Sequence, residues 1–210
     1  MIFDRMVAIT GGVGSGKTFI SRIFEKNEIP VFNTDDCAKK IMNKDSKVVD
    51  SFCDLFGSDI YNNGELDRRR LGNMLFSDKK NANFIEDIVY PAVLKEFLDW
   101  KSDKIHKENF PFVMMESAIL TESRFHKIFE FAIFVEAPLE IRKERIMRRE
   151  GMTKEFMEKI LNKQNAPEYV HYKLSFSGID VRRIYSDDKR DVTEDVKSCI
   201  EYYKNQFEKV

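Results

Sequence analysis

The sequence predicts an α/β fold, a mostly parallel sheet with helices on both faces, and two observations lead to that prediction. Short apolar runs of strand length alternate with longer stretches whose apolar residues recur at helical spacing. The first run, residues 6–10, stops at a pair of glycines and is followed by an amphipathic stretch, as in a strand–helix–strand unit. With 210 residues, 42% of them hydrophobic, the chain is long enough to bury a core without disulfides.

The individual elements follow from local pattern. Strands are predicted at residues 6–10, 29–32, 112–115 and 131–135, with a further short strand near 183–185. Helices are predicted at residues 19–26 and, closing the chain, at 192–208. Helix 37–42 is expected to follow the second strand.

About 75 residues of mostly helical character separate the second and third strands, which is more than one crossover helix needs. Residues 81–100 carry an apolar stripe at helical spacing, and Pro91 is expected to kink or break that helix. We therefore expect a helical lobe inserted into the sheet domain.

Charge and cysteine usage exclude several classes of protein. A net charge of −1 gives no bulk electrostatic reason to bind nucleic acid or an anionic membrane. The longest apolar runs, such as residues 131–135, are too short to cross a bilayer. The three cysteines are widely spaced and form neither a metal pattern nor a disulfide framework, so a reducing cytoplasm is expected.

A glycine-rich segment after the first strand fits the pattern G-x-x-x-x-G-K-[ST]; it reads Gly11-Gly12-Val13-Gly14-Ser15-Gly16-Lys17-Thr18. Glycines allow the tight turn that points successive backbone N–H groups at phosphate oxygens, and the following helix offers its positive N-terminus. In such a P-loop, Lys17 reaches the terminal phosphates and the Thr18 hydroxyl ligates Mg²⁺. The strand before it and the helix after it are the required context.

A second loop, Asn33-Thr34-Asp35-Asp36, ends the second strand. Ligands of parallel sheets lie at the carboxyl ends of strands, so Asp35 is a candidate to accept a proton from a substrate hydroxyl or to help hold Mg²⁺. The alternative is that Asp35 or Thr34 only caps the next helix.

Three arginines, Arg142, Arg145 and Arg149, fall at positions i, i+3 and i+7 on one helical face. Guanidinium groups suit phosphoryl oxygens, and Gly151 and Thr153 then interrupt and restart the helix, as in a lid. The alternative is a solvated face on which these arginines pair with acidic neighbours, namely Glu140, Glu144 and Glu150.

Taken together, these segments resemble the dephospho-coenzyme A kinase family over about residues 6–165. Residues 7–18 are similar to its opening, and residues 31–35 with Ala38 are similar to its second-strand motif. Residues 56–57 and 64–71 with Phe76 resemble the segment of the family that belongs to its substrate lobe. Tyr90-Pro91 aligns with a His-Pro pair of the family. Arg145, Arg149 and Gln164 align with the family's lid pattern. The chain departs from the family pattern at Asn33, which replaces an aspartate, at Tyr90, which replaces a histidine, and at residues 116–120.

The resemblance implies ATP-dependent phosphorylation of the 3′-hydroxyl of dephospho-coenzyme A, with Mg²⁺. It implies catalytic roles for Asp35, Lys17 and Arg145, and nucleotide binding by residues 12–18 and Arg149. Thr18 is the implied metal ligand. The implied substrate contacts are Asp67, Arg68, Tyr90 and Pro91.

The organisation that follows is one P-loop kinase domain over residues 1–210. A nucleotide-binding core is expected at about 1–35, 110–140 and 180–208, a helical coenzyme A lobe at 36–109 and a lid at 141–170. Two alternatives stay open. One is another P-loop kinase that acts on nucleosides or nucleotides; the other is a regulatory nucleotide-binding ATPase, for which Glu116 would follow the third strand as a Walker-B carboxylate.

Overall fold

The computed structural model describes residues 5–77, 79–149 and 151–208. Glu150, one of the expected partners of the arginines, lies outside these residues. The strands within the described ranges are β1 Met6–Thr10, β2 Val31–Asn33, β3 Tyr61–Asn62, β4 Glu65–Leu66, β5 Val113–Glu116, β6 Phe131–Glu136 and β7 Asp180–Tyr185. The α-helices are α1 Lys17–Lys26, α2 Thr34–Lys44, α3 Ser46–Phe56, α4 Arg68–Ser77, α5 Lys79–Ser102, α6 Leu139–Met147, α7 Lys154–Lys163, α8 Pro167–Phe176 and α9 Thr193–Glu208.

The chain divides into two units, residues 1–32 with 101–210 and residues 33–100. The first unit is built on a five-stranded sheet in the order β2-β5-β1-β6-β7. β1 pairs in parallel with β5 and β6, and β6 pairs in parallel with β7. From the central β1 the chain moves first to one edge of the sheet and later to the other. That reversal makes the carboxyl end of β1 the expected ligand site.

Two helices cover one face of this sheet with a shared apolar core. Ile20 and Phe24 of α1 and Val196 and Tyr203 of α9 are buried against β1, β5 and β6. On the other face Phe134 of β6 meets the ring of His171 in α8, with centroids 5.9 Å apart. The predicted layering of helix, parallel sheet and helix is therefore confirmed.

The second unit contains helices α2 to α4, most of α5 and a small antiparallel hairpin of β3 and β4. Asn63 and Gly64 make its turn with positive φ values of 50° and 79°, which is the backbone of a tight hairpin. The Asn43 side chain ties the hairpin to α2, because its Oδ1 accepts the Leu66 N–H at 2.9 Å. Phe52 is fully buried in this unit, and its ring packs edge-on against the ring of Phe56.

Three predicted features differ from the structure. The second strand begins at Val31 and not at residue 29, because the Ile29 N–H closes the end of α1 on the Phe24 carbonyl, 3.1 Å away. Of the kink or break expected at Pro91, the break is absent, since α5 runs through Pro91. The predicted cap of α2 is also wrong: the cap is Asn33, whose Oδ1 accepts the Asp36 N–H at 2.9 Å. Among the described residues, no helix combines the length and apolarity needed to cross a membrane.

Candidate active site

The predicted phosphate loop, Gly11–Thr18, connects the central strand β1 to α1. Gly16 is the N-cap of α1 with φ 101°, and glycine has no side chain with which to cap the helix. Gly14 has φ 79°, and a Cβ on it would lie 2.6 Å from the Arg142 carbonyl oxygen. Glycine is therefore required at Gly14 both by its conformation and by the close packing of α6. N–H groups at a helix N-terminus attract anions, so the loop has the geometry that its predicted phosphate-binding role requires.

Lys17 is buried, and its amine lies back along the loop. The Nζ atom donates to the Gly11 carbonyl at 2.9 Å and to the Gly12 carbonyl at 3.1 Å. These contacts hold a positive charge directly at the loop, where it can neutralise phosphate oxygens.

The Thr18 hydroxyl donates to Oε1 of Glu116 at 2.8 Å. Glu116 is the last residue of β5, lies opposite Ile9 of β1 and is buried. Carboxylate and hydroxyl oxygens are hard ligands that Mg²⁺ favours, so the donor set present beside the loop fits this ion.

The three predicted arginines separate in the structure. Arg142 is buried: its Nε donates to the Val13 carbonyl at 2.9 Å, and its Nη2 donates to Oε1 of Gln164 at 3.2 Å. Burial lowers the pKa of Arg142, and the nearby Glu168 opposes that shift. Arg149 lies beyond the end of α6, with its side chain exposed.

Arg145 joins the phosphate loop to the segment after β7. Its Nη1 donates to the Gly14 carbonyl at 3.1 Å, and its Nη2 donates to the Ser186 hydroxyl at 3.1 Å. Arg145 also forms an ion pair with Asp188. Hydrogen bonding from Arg145 holds the pKa of Asp188 below its usual value.

The alternative of a solvated basic face therefore fails for Arg142 and Arg145. The acidic residues of α6 pair with other cations: Glu140 with Lys143 at 2.7 Å and Glu144 with Arg148 at 3.6 Å. The interruption after α6 is present as expected. Gly151 has φ 70°, and the Thr153 hydroxyl caps α7 by accepting the Phe156 N–H.

The remaining predicted site residues belong to the second unit. Asp35 is exposed in the first turn of α2. Asp67 precedes α4, where its Oδ1 accepts the Arg70 N–H at 2.9 Å, and Arg68 is the exposed first residue of that helix. Tyr90 and Pro91 lie in the middle of α5, the first half-buried and the second exposed.

Sequence reasoning undervalued two residues of the site and missed two more. Arg142 was noted only as part of the helical face, and Glu116 only for the regulatory alternative. No sequence motif marks Ser186 and Asp188, although they follow a strand end at the same edge of the sheet. The rule that ligands gather at carboxyl ends of parallel strands could have indicated both.

A glycine-rich loop of this shape, placed on the central strand of a parallel sheet, is typical of P-loop nucleotide-binding proteins, the class that includes the P-loop kinases. A sequence profile described as dephospho-CoA kinase matches residues 5–173. The chain therefore belongs to the dephospho-CoA kinase family.

Proteins of similar sequence that are named dephospho-CoA kinase agree with this assignment. A dephospho-CoA kinase from Bacteroides fragilis is 35% identical over 170 residues, covering 81% of this chain and 82% of the relative. One from Porphyromonas gingivalis is 38% identical over 151 residues, covering 72% of this chain and 73% of the relative. Among solved structures, dephospho-CoA kinase from Campylobacter jejuni shares the fold with a TM-score of 0.66 at 17% identity, over 96% of this chain and 98% of that one.

Proposed function

We propose that the protein transfers the γ-phosphoryl group of ATP to the 3′-hydroxyl on the ribose of dephospho-coenzyme A, giving coenzyme A and ADP. The observation that carries the proposal is the phosphate loop Gly11–Thr18, held by Lys17 and α6, in a chain whose family match extends from residue 5 to residue 173. Free Cys37, Cys53 and Cys199 suit a reducing compartment, so we place the reaction in the cytoplasm.

The phosphate loop binds the triphosphate in this proposal. The phosphate oxygens bind at residues 12–16 through backbone N–H groups other than those of Val13 and Ser15, which donate to Gln164 and to the Gly12 carbonyl. Lys17 neutralises charge on the β- and γ-phosphates. Thr18 and Glu116, which are joined by a hydrogen bond, would hold Mg²⁺, and the ion would supply additional charge neutralisation. Most of the rate comes from positioning and charge, since the protein makes no covalent bond to the phosphoryl group.

Asp35 is the proposed base. The 3′-oxygen of the acceptor forms a bond to the γ-phosphorus while the bond from that phosphorus to the β,γ-bridging oxygen breaks. The hydroxyl proton passes to the Asp35 carboxylate, and ADP leaves with the bonding electron pair.

The arginines and the second unit complete the proposal. Arg145, which contacts the loop at Gly14, and the exposed Arg149 stabilise charge on the transferring phosphoryl group. Asp67, Arg68, Tyr90 and Pro91 bind the coenzyme A portion of the acceptor, as the resemblance of their segments to the family implies.

The test is an ADP-release assay with MgATP and a panel of acceptors. We expect release only with dephospho-coenzyme A, and background release with nucleosides and nucleoside monophosphates. A higher rate with a nucleoside or nucleotide would favour the alternative kinase. Release that does not depend on an acceptor would favour the regulatory ATPase.

A further inference from the structure

The peptide group on each side of Val13 is held by side chains from outside the phosphate loop. The Val13 N–H donates to Oε1 of Gln164 at 2.8 Å, and the Val13 carbonyl accepts from Nε of Arg142 at 2.9 Å. Nη2 of Arg142 donates to the same Gln164 oxygen at 3.2 Å, which closes a triangle of three hydrogen bonds. We call this arrangement of Val13, Arg142 and Gln164 the Val13 clamp.

The chemistry of the clamp fixes the orientation of the Gln164 amide. Both groups that face its Oε1 atom, the Val13 N–H and the Arg142 guanidinium, are donors without acceptor capacity. The side-chain oxygen, and not the amide nitrogen, must therefore point at the loop. One oxygen acceptor thus restrains a backbone group and a buried cation together.

Glycines on both sides make Val13 the part of the loop that most needs restraint. Gly12 and Gly14 have no Cβ, and Gly14 has a φ of 79° that other residues rarely adopt, so the intervening peptides have little intrinsic preference for one orientation. A carbonyl that rotated toward the phosphates would repel them. The clamp holds the Val13 carbonyl on Arg142 and the Val13 N–H on Gln164. These two hydrogen bonds prevent the peptide groups from rotating.

The contact between Arg142 and the loop leaves no spare space. A Cβ on Gly12 would lie 2.3 Å from Nη2 of Arg142, so the guanidinium packs directly on the Gly12 backbone. Its charge therefore lies against the loop, where anionic phosphates gain from it.

The two anchors come from both ends of the predicted lid. Arg142 lies in α6, three residues before Arg145, and Gln164 is the C-cap of α7. We propose that Arg142 and Gln164 are positioning residues that hold the Val13 peptide in the orientation that binds ATP. This inference rests on the proposed role of the loop as the phosphate site.

The experiment compares full-length Gln164→Leu, Gln164→Glu and Arg142→Met with wild type. Leucine removes the acceptor at nearly constant size, whereas glutamate keeps an acceptor oxygen. Lys143→Met is the matched control, because Lys143 is the next residue of α6 and pairs with the exposed Glu140. The readouts are the KM for MgATP, the KM for dephospho-coenzyme A, and amide hydrogen exchange of a peptide spanning the loop without nucleotide.

We expect Gln164→Leu and Arg142→Met to raise the KM for MgATP by about tenfold or more, the scale of one unsatisfied polar group. The KM for dephospho-coenzyme A should stay within about twofold, the size of change expected at a site with no lost hydrogen bond. Exchange in the loop peptide should accelerate in both variants, while exchange in α9 stays unchanged. Gln164→Glu should retain slow exchange in the loop, and Lys143→Met should match wild type throughout.

Wild-type exchange and KM for MgATP in Gln164→Leu would overturn the inference. So would parallel rises in both KM values with faster exchange throughout the protein, because that pattern indicates general destabilisation. Lys17→Ala separates the two proposals. If that variant stays active, the phosphate-site proposal itself fails; if it is inactive while Gln164→Leu behaves as wild type, only the clamp fails.

Discussion

The capping role that the sequence left open for Asp35 belongs to Asn33, while the role of Asp35 as the base stays a prediction. Asn33 is extended, with φ −92° and ψ 112°, so its side chain precedes the helix and caps it. Asp35 stands inside the first turn and is not needed for that contact. Its carboxylate favours the helix N-terminus electrostatically, and it is available for chemistry.

Replacing Asp35 with asparagine should separate chemistry from folding. We expect Asp35→Asn to lower kcat by roughly 10²- to 10⁴-fold, the usual range for a lost general base. The free energy of unfolding should change little, because Asn33 still caps α2. Steady-state kinetics and urea unfolding measure the two quantities.

Asp36→Asn is the matched control for this variant. Asp36 is the next residue, is exposed and pairs with Lys39 at 2.8 Å, so its loss should leave kcat within about twofold. If Asp35→Asn and Asp36→Asn have equal turnover, Asp35 is not the base.

Glu116 offers a second test at this scale, through the requirement for magnesium. Glu116→Gln keeps an oxygen that can accept from Thr18 but removes the charge that attracts a divalent cation. We expect the Mg²⁺ concentration for half-maximal rate to rise by about tenfold or more, with partial recovery at high Mg²⁺. An unchanged Mg²⁺ dependence, equal to that of the surface variant Glu108→Gln, would remove Glu116 from the metal site.

Helix α6 contributes to the candidate site because its arginine side chains point at the phosphate loop. The spacing correctly indicated a shared face for Arg142 and Arg145 but not for Arg149, which lies beyond the helix. It did not indicate that this face packs on the phosphate loop. Periodicity gives the face of a helix, whereas its partner depends on contacts between residues more than 120 positions apart.

Arg145→Lys tests whether activity requires the planar guanidinium group, which can donate several hydrogen bonds at once. An ammonium group cannot contact Gly14, Ser186 and Asp188 at the same time, as the guanidinium does. We expect kcat/KM for ATP to fall by about tenfold or more. Arg148→Lys, next to the end of α6 and paired only weakly with Glu144, should cost almost nothing. Equal kinetics for the two variants would show that the contacts of the Arg145 guanidinium do not serve the reaction.

The sheet was predictable from sequence because its strands are apolar and end at clear turn signals. All four central predictions overlap the observed strands, with shifts of one or two residues at their ends. β7 was predicted at only half its length, since Asp180 and Arg182 give the first half of this edge strand a mixed polarity. The β3–β4 hairpin was missed, although Asn63-Gly64 is a strong signal for a two-residue turn.

The candidate site was predictable only where one segment carries the chemistry. Lys17 and Thr18 follow from a local motif. In the structure Lys17 contacts the Gly11 carbonyl and Thr18 contacts Glu116, while their roles toward phosphate and Mg²⁺ stay predictions. The Val13 clamp and the Arg145 contacts require α6, the α7–α8 connection and the segment after β7 to meet at one strand end. No local pattern specifies that meeting, so it had to come from the fold.

Across the described residues, two histidines give the protein a predicted dependence of stability on pH. Burial lowers the pKa of both His126 and His171 below the ordinary value of 6.5. The unfolded chain therefore takes up protons at a higher pH than the folded chain. Their contribution to stability is complete above about pH 6.5 and is lost as pH falls toward the folded pKa values.

We expect the urea midpoint to fall between pH 7 and pH 5, and to fall less in the double variant His126→Gln/His171→Gln. Asp59 and Asp188 have pKa values that are lowered by their arginine partners, so their contribution to folding stability is lost only at more acidic pH. An identical pH slope in wild type and double variant would contradict this assignment.

The central claim is that the loop Gly11–Thr18 directs phosphoryl transfer to the 3′-hydroxyl of dephospho-coenzyme A. The most direct measurement is the rate at which the 3′-phosphorylated product forms, followed by mass spectrometry, in wild type, Lys17→Ala and Lys26→Ala. Lys26 is an exposed residue in the last turn of the same helix and serves as the control. We predict product with wild type and Lys26→Ala, and a rate at least about 10²-fold lower for a folded Lys17→Ala, the usual cost of one lost electrostatic stabiliser. Product formation at the wild-type rate by Lys17→Ala, or ADP without phosphorylated product from wild type, would contradict the claim.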